Sequence, residues 1–316
     1  MSIKKYETLN SLEIPRFAEL KTFMRLPNVR TTEGVDYAVV GVPFDTGVTY
    51  RPGQRFAPSA IREISSLIKP YNVPRDINTV EILSGVDYGD ISVNPGYIED
   101  TYDRMVEGLL PLFESGVIPI CLGGDHSITL GELRAAAKVH GPLALVHFDS
   151  HFDTIDEYFG KKYNHGTVFR RALEEGLIDV EHSIQVGMRG TFYSKKDLTD
   201  SRDLGFEVIT SFEMRETGIE ETIERIIKRV GDSKAFLTFD IDFVDPAYAP
   251  GTGTVEVGGW SCAEALHMVR SLKDVDFVGY DLVEVLPAYD PSQITSFLAA
   301  NIVFEFISLI ALKKQK

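Results

Sequence analysis

Residues 146–153 read VHFDSHFD, and residues 143–148 just before and within them are mostly apolar. A short apolar run of this kind reads as a buried strand. Asp149, His151 and Asp153 then recur with period two. Alternate side chains of an extended chain point the same way, so three metal-binding groups can converge as the strand ends. Residues 236–239 repeat the device, running into Asp240 and Asp242, again two apart. A third candidate, His126, sits in GGDHS after the apolar run 117–122. Each candidate falls at or just past the carboxyl end of a predicted strand, where open α/β sheets place their ligands. A single D-x-H-x-D is equally a capped loop with solvated carboxylates. Three such clusters point to a cation, because apolar strands do not run into uncompensated carboxylates without cost.

Outward from this stretch, strands and helices alternate. Strands are expected near residues 36–43, 81–87, 117–122, 143–148, 183–187, 206–209, 236–239 and 277–285. Pro58 and Ser59 can open a helix carrying Ile61, Ile64 and Leu67, and Ser127 or Thr129 can cap another that runs to about His140. Helical spacing also marks residues 97–114, 168–176, 219–230 and 262–272. This alternation predicts an α/β fold, a mostly parallel sheet covered by helices on both faces. No linker, repeat or shift of composition divides the chain, so residues 1–316 read as one domain, with 1–33 an irregular N-terminal extension. The Gly- and Pro-rich loop FDTGVTYRPGQRFAPS, residues 44–59, either lines a pocket or packs over the sheet edge.

Composition narrows the classes. A net charge of −15 disfavours nucleic acid, which needs a basic face, and weakly suits a cationic substrate. Two cysteines, Cys121 in an expected core strand and Cys262, argue against a disulfide framework and fit the cytoplasm. The first residues, MSIKKYETLN, show no apolar signal region. The apolar stretch 297–312 is interrupted by Asn301 and Glu305, so it reads as a core-packed terminal helix rather than a membrane span.

Six ligands are therefore proposed: His126, Asp149, His151, Asp153, Asp240 and Asp242. They are too many for one zinc ion, which takes about four ligands rich in nitrogen or sulfur. They suit two divalent ions that share bridging carboxylates. Carboxylate and imidazole without thiolate favour Mn²⁺ over Zn²⁺, with Ni²⁺, Co²⁺ and Fe²⁺ open, and Mg²⁺ recruits histidine less readily. Two ions roughly 3.5–4 Å apart lower the pKa of a shared water, so metal-assisted hydrolysis follows. His165, on a polar loop, is either an acid/base or a structural loop histidine. Glu284, at the end of FVGYDLVEV, either pairs with a planar cation on the same rim or is a solvated strand end.

Together these residues resemble the ureohydrolase family, which contains arginase and agmatinase. The resemblance runs from about Phe23 to the C-terminus through GGDHS (123–127), FDSHFD (148–153), FDIDFVDPAYAPGTGT (239–254) and DLVEVLPAYD (281–290). RPGQRFAPSAIRE (51–63) and HGTVFRRALEEGLID (165–179) are more similar to agmatinase and the guanidino-acid hydrolases than to arginase. The resemblance implies a three-layer α/β/α, arginase-like fold and a dimanganese site formed by the six ligands. It implies His165 as proton shuttle and Glu284 as holder of the substrate guanidinium, with Asp242 steadying the tetrahedral intermediate. It implies a homo-oligomer, trimer or hexamer. Ser150, Phe152, Val255 and Val257 depart from the family's usual residues, and the loop 154–164 is longer than in compact agmatinases.

The reaction implied is hydrolysis of a guanidino group to urea and an amine, with agmatine yielding putrescine as the first expectation. The alternatives are 4-guanidinobutanoate, 3-guanidinopropanoate and guanidine. The far end of the substrate is expected to meet Phe152, Tyr158, Tyr163 and Asn164, with Lys161, Lys162, Arg189 and Tyr193 as further candidates. Two readings from other classes are a catalytically inactive metal-binding interaction protein and a diiron redox enzyme.

Overall fold

The apolar runs become eight parallel strands in one sheet of a computed structural model that describes residues 6–316. The first five residues of the expected irregular extension lie outside the described residues. The strands are β1 (Tyr37–Gly41), β2 (Gly85–Asp90), β3 (Ile118–Leu122), β4 (Ala144–Phe148), β5 (Ile184–Met188), β6 (Glu207–Thr210), β7 (Lys234–Asp240) and β8 (Asp276–Val283). Their order across the sheet is β2-β1-β3-β8-β7-β4-β5-β6. Helices cover both faces. They are α1 (Ala57–Ser65), α2 (Ile98–Glu114), α3 (Thr129–His140), α4 (Val168–Glu174), α5 (Lys195–Asp203), α6 (Ser211–Thr217), α7 (Ile219–Val230), α8 (Cys262–Ser271) and α9 (Ile294–Gln315).

Two cores result, one on each side of the sheet. Phe239 and Phe148 pack with Ile61 of α1, Ile226 of α7, Met268 of α8 and Ile302 of α9. Leu145 and Phe236 pack on the other side with Leu109 of α2, Leu133 of α3 and Phe169 of α4. Alternate strand residues feeding opposite cores is the period-two rule at work. Helix α9 is long and apolar enough to cross a membrane by length and composition, yet 83% of its apolar window is buried within the fold. Its interrupting Glu305 is satisfied there, by Asn72 Nδ2 at 3.0 Å and Arg270 Nη2 at 2.5 Å.

Three local expectations change. Residues 79–82 form a helical turn, and the strand expected at 81–87 begins only at Gly85. Pairing of β2 with β1 sets that start, and a Cβ at Gly85 would lie 2.1 Å from the Tyr37 ring. Helices α5 and α6 carry no clear apolar stripe, so periodicity did not show them; Ser194 and Thr210 side chains cap them instead. The turn before α3 is capped by Asp125, which accepts from the Ser127 amide, while Thr129 donates to Asp281 at 2.8 Å.

The register aligns the strand ends. Leu122, Leu282, Phe239, Phe148 and Val186 are neighbours across β3, β8, β7, β4 and β5. The residues that follow them emerge on one rim, which brings together segments more than a hundred residues apart in sequence. Gly124 lets the β3 turn lie flat against the β1 loop, because a Cβ there would sit 2.0 Å from the Phe44 carbonyl oxygen.

Candidate active site

On this rim the six expected ligands meet. His126 Nδ1 lies 3.1 Å from Asp149 Oδ2, 3.0 Å from Asp153 Oδ2 and 3.4 Å from Asp240 Oδ2. His151 Nδ1 lies 3.0 Å from Asp242 Oδ2 and 3.4 Å from Asp149 Oδ1. Asp149 is thus shared, one oxygen toward each histidine. His126 Nδ1 and Asp242 Oδ2 are buried without a well-formed hydrogen bond, although oppositely charged partners crowd them. Buried polar atoms left in that state suit coordination of an ion rather than hydrogen bonding.

The electrostatics agree. Burial, then the charges of Asp242 and Asp149, push the Asp240 carboxyl well above its usual range. Burial and Asp149 likewise raise Asp242. Burial disfavours charge on His126, yet its bonds to Asp149, Asp153 and Asp240 hold it well above an ordinary imidazole. The cluster therefore demands positive charge from protons where cations would otherwise supply it. Four carboxylates and two imidazoles with one shared carboxylate fit two divalent ions.

The backbone is bent to hold this set. Asp153 and Glu284 both adopt left-handed conformations, at φ 52° and 64°. Non-glycine residues there are strained, and such strain collects at functional sites. Ser150 donates from its amide at 3.0 Å and its hydroxyl at 2.7 Å to Asp242 Oδ1. Arg189 is buried, and its guanidinium donates to the carbonyls of Asp242, Phe243 and Glu256 at 2.5, 3.1 and 2.9 Å. It is a clamp on the Asp242 loop, so its expected availability to a substrate carboxylate is corrected.

His147 was missed. It points from β4 into the site, where Nε2 lies 2.7 Å from Asp149 Oδ2 and the Gln185 amide donates to Nδ1 at 3.0 Å. The same Gln185 nitrogen donates to the Phe152 carbonyl at 2.7 Å, which sets the amide's orientation. Nδ1 is then the acceptor and Nε2–H the donor, so His147 orients Asp149 rather than ligating. The sequence signal was a lone histidine inside an apolar strand, which reads as core.

His165 and Glu284 form a pair, with Nδ1 and Oε1 2.9 Å apart. The Thr49 amide donates to His165 Nε2 at 3.0 Å, with Thr49 Oγ1 2.8 Å away. That geometry places the neutral ring's proton on Nδ1. Burial disfavours the imidazolium, but Glu284, Asp153 and Asp125 outweigh it and lift the group to about 9. Divalent ions at the neighbouring carboxylates would remove much of that pull. Glu284 also accepts from the His126 amide at 2.9 Å and from Gln54 Nε2 at 2.8 Å. Burial opposes its ionisation, yet His165 and then the His126 amide and ring hold it below the usual range. Gln54 is fully buried and comes from the loop 44–59, which thereby lines the site rather than only covering the sheet edge.

A cavity of about 300 Å³ opens from the ligands to solvent. His151, Asp153, Asp240, His165 and Thr49 form its inner end. Phe152 and Tyr158 are on its wall, as expected, and Phe152 packs on Phe192 with ring centroids 5.5 Å apart. Glu284 is 1% exposed and stands behind His165 rather than on the wall. Tyr163 and Asn164 are corrected. Tyr163 packs edge-on against Tyr102 at 5.8 Å, and Asn164 accepts from the Gly166 amide at 3.0 Å as a cap. The outer wall comes instead from residues after β5, including Phe192, Tyr193 and Lys196.

A parallel sheet between two helical layers, with a carboxylate–imidazole centre on its carboxyl rim, defines an arginase-like α/β protein built for two divalent ions. Comparison with known proteins agrees. The arginase family model matches residues 35–308. A guanidinobutyrase of Pseudomonas aeruginosa is 40% identical over 315 residues, covering 96% of this chain and 97% of its own. An agmatinase of Neisseria meningitidis is 43% identical over 312 residues, covering 98% and 97%. The solved proclavaminate amidino hydrolase of Streptomyces clavuligerus superposes with a TM-score of 0.91 at 41% identity, covering 95% of this chain and 99% of that one. The chain belongs to the arginase family.

Proposed function

We propose that this chain is a manganese-dependent hydrolase that cleaves a guanidino group to urea and an amine. The observation that carries the reading is Asp149 standing between two clusters, with His126 Nδ1 and Asp242 Oδ2 buried and unbonded on either side. His126, Asp149, Asp153 and Asp240 would hold one ion, and Asp149, His151, Asp242 and Asp240 the other. Manganese is favoured by a donor set of carboxylate and imidazole with no thiolate. Two such ions supply an acidified water and Lewis-acid stabilisation of a tetrahedral centre.

The chain's own residues do the rest. His165 lines the cavity with Nδ1 tied to Glu284 and Nε2 held by Thr49, so Nε2 would exchange its Thr49 contacts for the substrate. Glu284 fixes that ring and places negative charge behind the guanidinium site. As the water oxygen bonds to the guanidino carbon and the C–N bond breaks, the water's two protons end on the leaving nitrogen, one of them taken up and passed on by His165, so that neutral urea and a protonated amine result. Ser150 and Arg189 keep Asp242 in place throughout. Agmatine and the guanidino acids share this end of the reaction, so the outer cavity decides between agmatine, the first expectation, and the acids. A trimeric or hexameric assembly rests on the family resemblance. A cytoplasmic location is supported by Cys121 and Cys262 both being free thiols.

The test is urea release by Mn²⁺- and Ni²⁺-loaded protein from agmatine, 4-guanidinobutanoate, 3-guanidinopropanoate, arginine and guanidine, with bound metal counted. Ammonia is followed as well for guanidine. Two ions bound and urea from at least one substrate is the expected result. Two ions bound and no urea from any of them would overturn it.

A further inference from the structure

The outer cavity carries charges that the guanidino chemistry leaves unused. Asp156, Arg170, Lys196, Asp197 and Asp200 all reach its wall. Four of the five are already engaged. Arg170 pairs with Asp200 and donates to the Thr154 carbonyl at 2.8 Å. Asp156 lies 2.6 Å from Arg171 Nη2. Asp197 accepts from the Ser194 amide at 2.8 Å and from its hydroxyl, closing the capping box of α5. Lys196 is the exception. Among the described residues, none accepts a hydrogen bond from its ammonium or pairs with it.

Its position sharpens the point. Lys196 lies in the first turn of α5, where the backbone dipole already presents positive potential. Lysine there works against the helix, so helix stability does not account for it. Lysine and helix end instead add their fields on the same cavity wall, beside Phe192 and Tyr193. Lys161 and Lys162, the lysines singled out from the sequence, are exposed as Lys196 is, but they lie off this wall.

We infer that Lys196 receives the carboxylate of an ω-guanidino acid, and that this chain prefers such acids to agmatine. The inference rests on the guanidino hydrolysis proposed above and names its substrate class. Agmatine would bring an ammonium to the wall's one unpaired cation. A guanidino acid brings the anion that cation lacks, with its methylenes along Phe152, Phe192 and Tyr158.

The experiment compares wild type, Lys196→Gln and Lys196→Glu, each loaded with Mn²⁺. The kcat/KM values for 4-guanidinobutanoate and agmatine are each referred to that for neutral butylguanidine on the same variant. Wild type is expected to favour the acid. Lys196→Gln should lower the acid's value by up to about 5-fold, mainly through KM, and Lys196→Glu should lower it further while raising agmatine's. Both substitutions fall on an exposed helix end, and thermal unfolding checks that the fold persists. A wild-type preference for agmatine, or an acid-to-amine ratio indifferent to Lys196→Glu, would overturn the inference. Calorimetric binding of 4-guanidinobutanoate is measured in parallel. If no substrate yields urea but the acid still binds about 10-fold more weakly to Lys196→Glu, hydrolysis fails and carboxylate recognition stands. If neither urea nor Lys196-dependent binding is seen, both fail.

Discussion

Replacing His147 by phenylalanine tests whether the shared carboxylate needs its donor. The phenyl ring preserves most of the volume, and the site already packs rings closely: Phe169 lies 4.3 Å and His126 5.1 Å from the His147 ring. What disappears is the Nε2–H bond to Asp149 Oδ2, 2.7 Å long in a fully buried setting. A hydrogen bond to a charged acceptor contributes about 1.5–3 kcal/mol, which converts to roughly 10- to 100-fold in an equilibrium constant. The same range is typical when a partner of a metal ligand is removed, about 10- to 100-fold in affinity. Asp149 faces both clusters, so both ions should weaken. The assay is calorimetric titration of metal-free wild type and His147→Phe with Mn²⁺, with circular dichroism to check the fold. Two ions bound at lower affinity is the expected outcome. Unchanged affinity would refute the orienting role, and outright loss of one ion would make His147 a ligand.

Three further predictions concern the supports of the site. Arg189→Met strips donors from the carbonyls of Asp242, Phe243 and Glu256, and should lower stability by about 2–4 kcal/mol and weaken metal retention, read by thermal unfolding and dialysis. Gln54→Leu leaves Glu284 Oε2 without its donor, and should cut kcat about 10-fold with both ions retained, read by urea release and metal analysis. The pH dependence follows from His165, raised in the metal-free protein from 6.5 to about 9. A raised pKa stabilises the fold fully below the unfolded value and loses that contribution as pH climbs through the folded one. His165 should therefore account for up to about 3 kcal/mol of stability lost by the metal-free protein between pH 6.5 and 9, so the slope seen by thermal unfolding across that range should be shallower in His165→Gln.

The candidate ligands were legible because their pattern is local. Acids and histidines two apart at the end of an apolar strand share a side whatever the rest of the chain does, as Asp149, His151 and Asp153 show. The supports were not legible, because nothing local distinguishes them. His147 looks like core until its ring is seen against Asp149, and Gln54 is one polar residue in a long loop until the fold brings it 2.8 Å from Glu284. Tyr163 and Asn164 were expected on the cavity because they follow the ligands in sequence. Loop side chains take their direction from packing, and these two turned to Tyr102 and to a helix cap. Lys196 lies on a polar helix with no apolar stripe, where periodicity has nothing to report.

The sequence by itself determined the parallel α/β alternation, six candidate ligands and the class of chemistry they can do, because each depends on residues a few positions apart. Tertiary structure alone decided that β3, β8, β7 and β4 stand side by side, so that His126, Glu284, Asp240 and Asp149 share one rim. It also decided which of many surface charges finds a partner and which, at Lys196, is left on the cavity wall. Strand order and charge pairing are sums over contacts between distant segments, and no short window of sequence contains them.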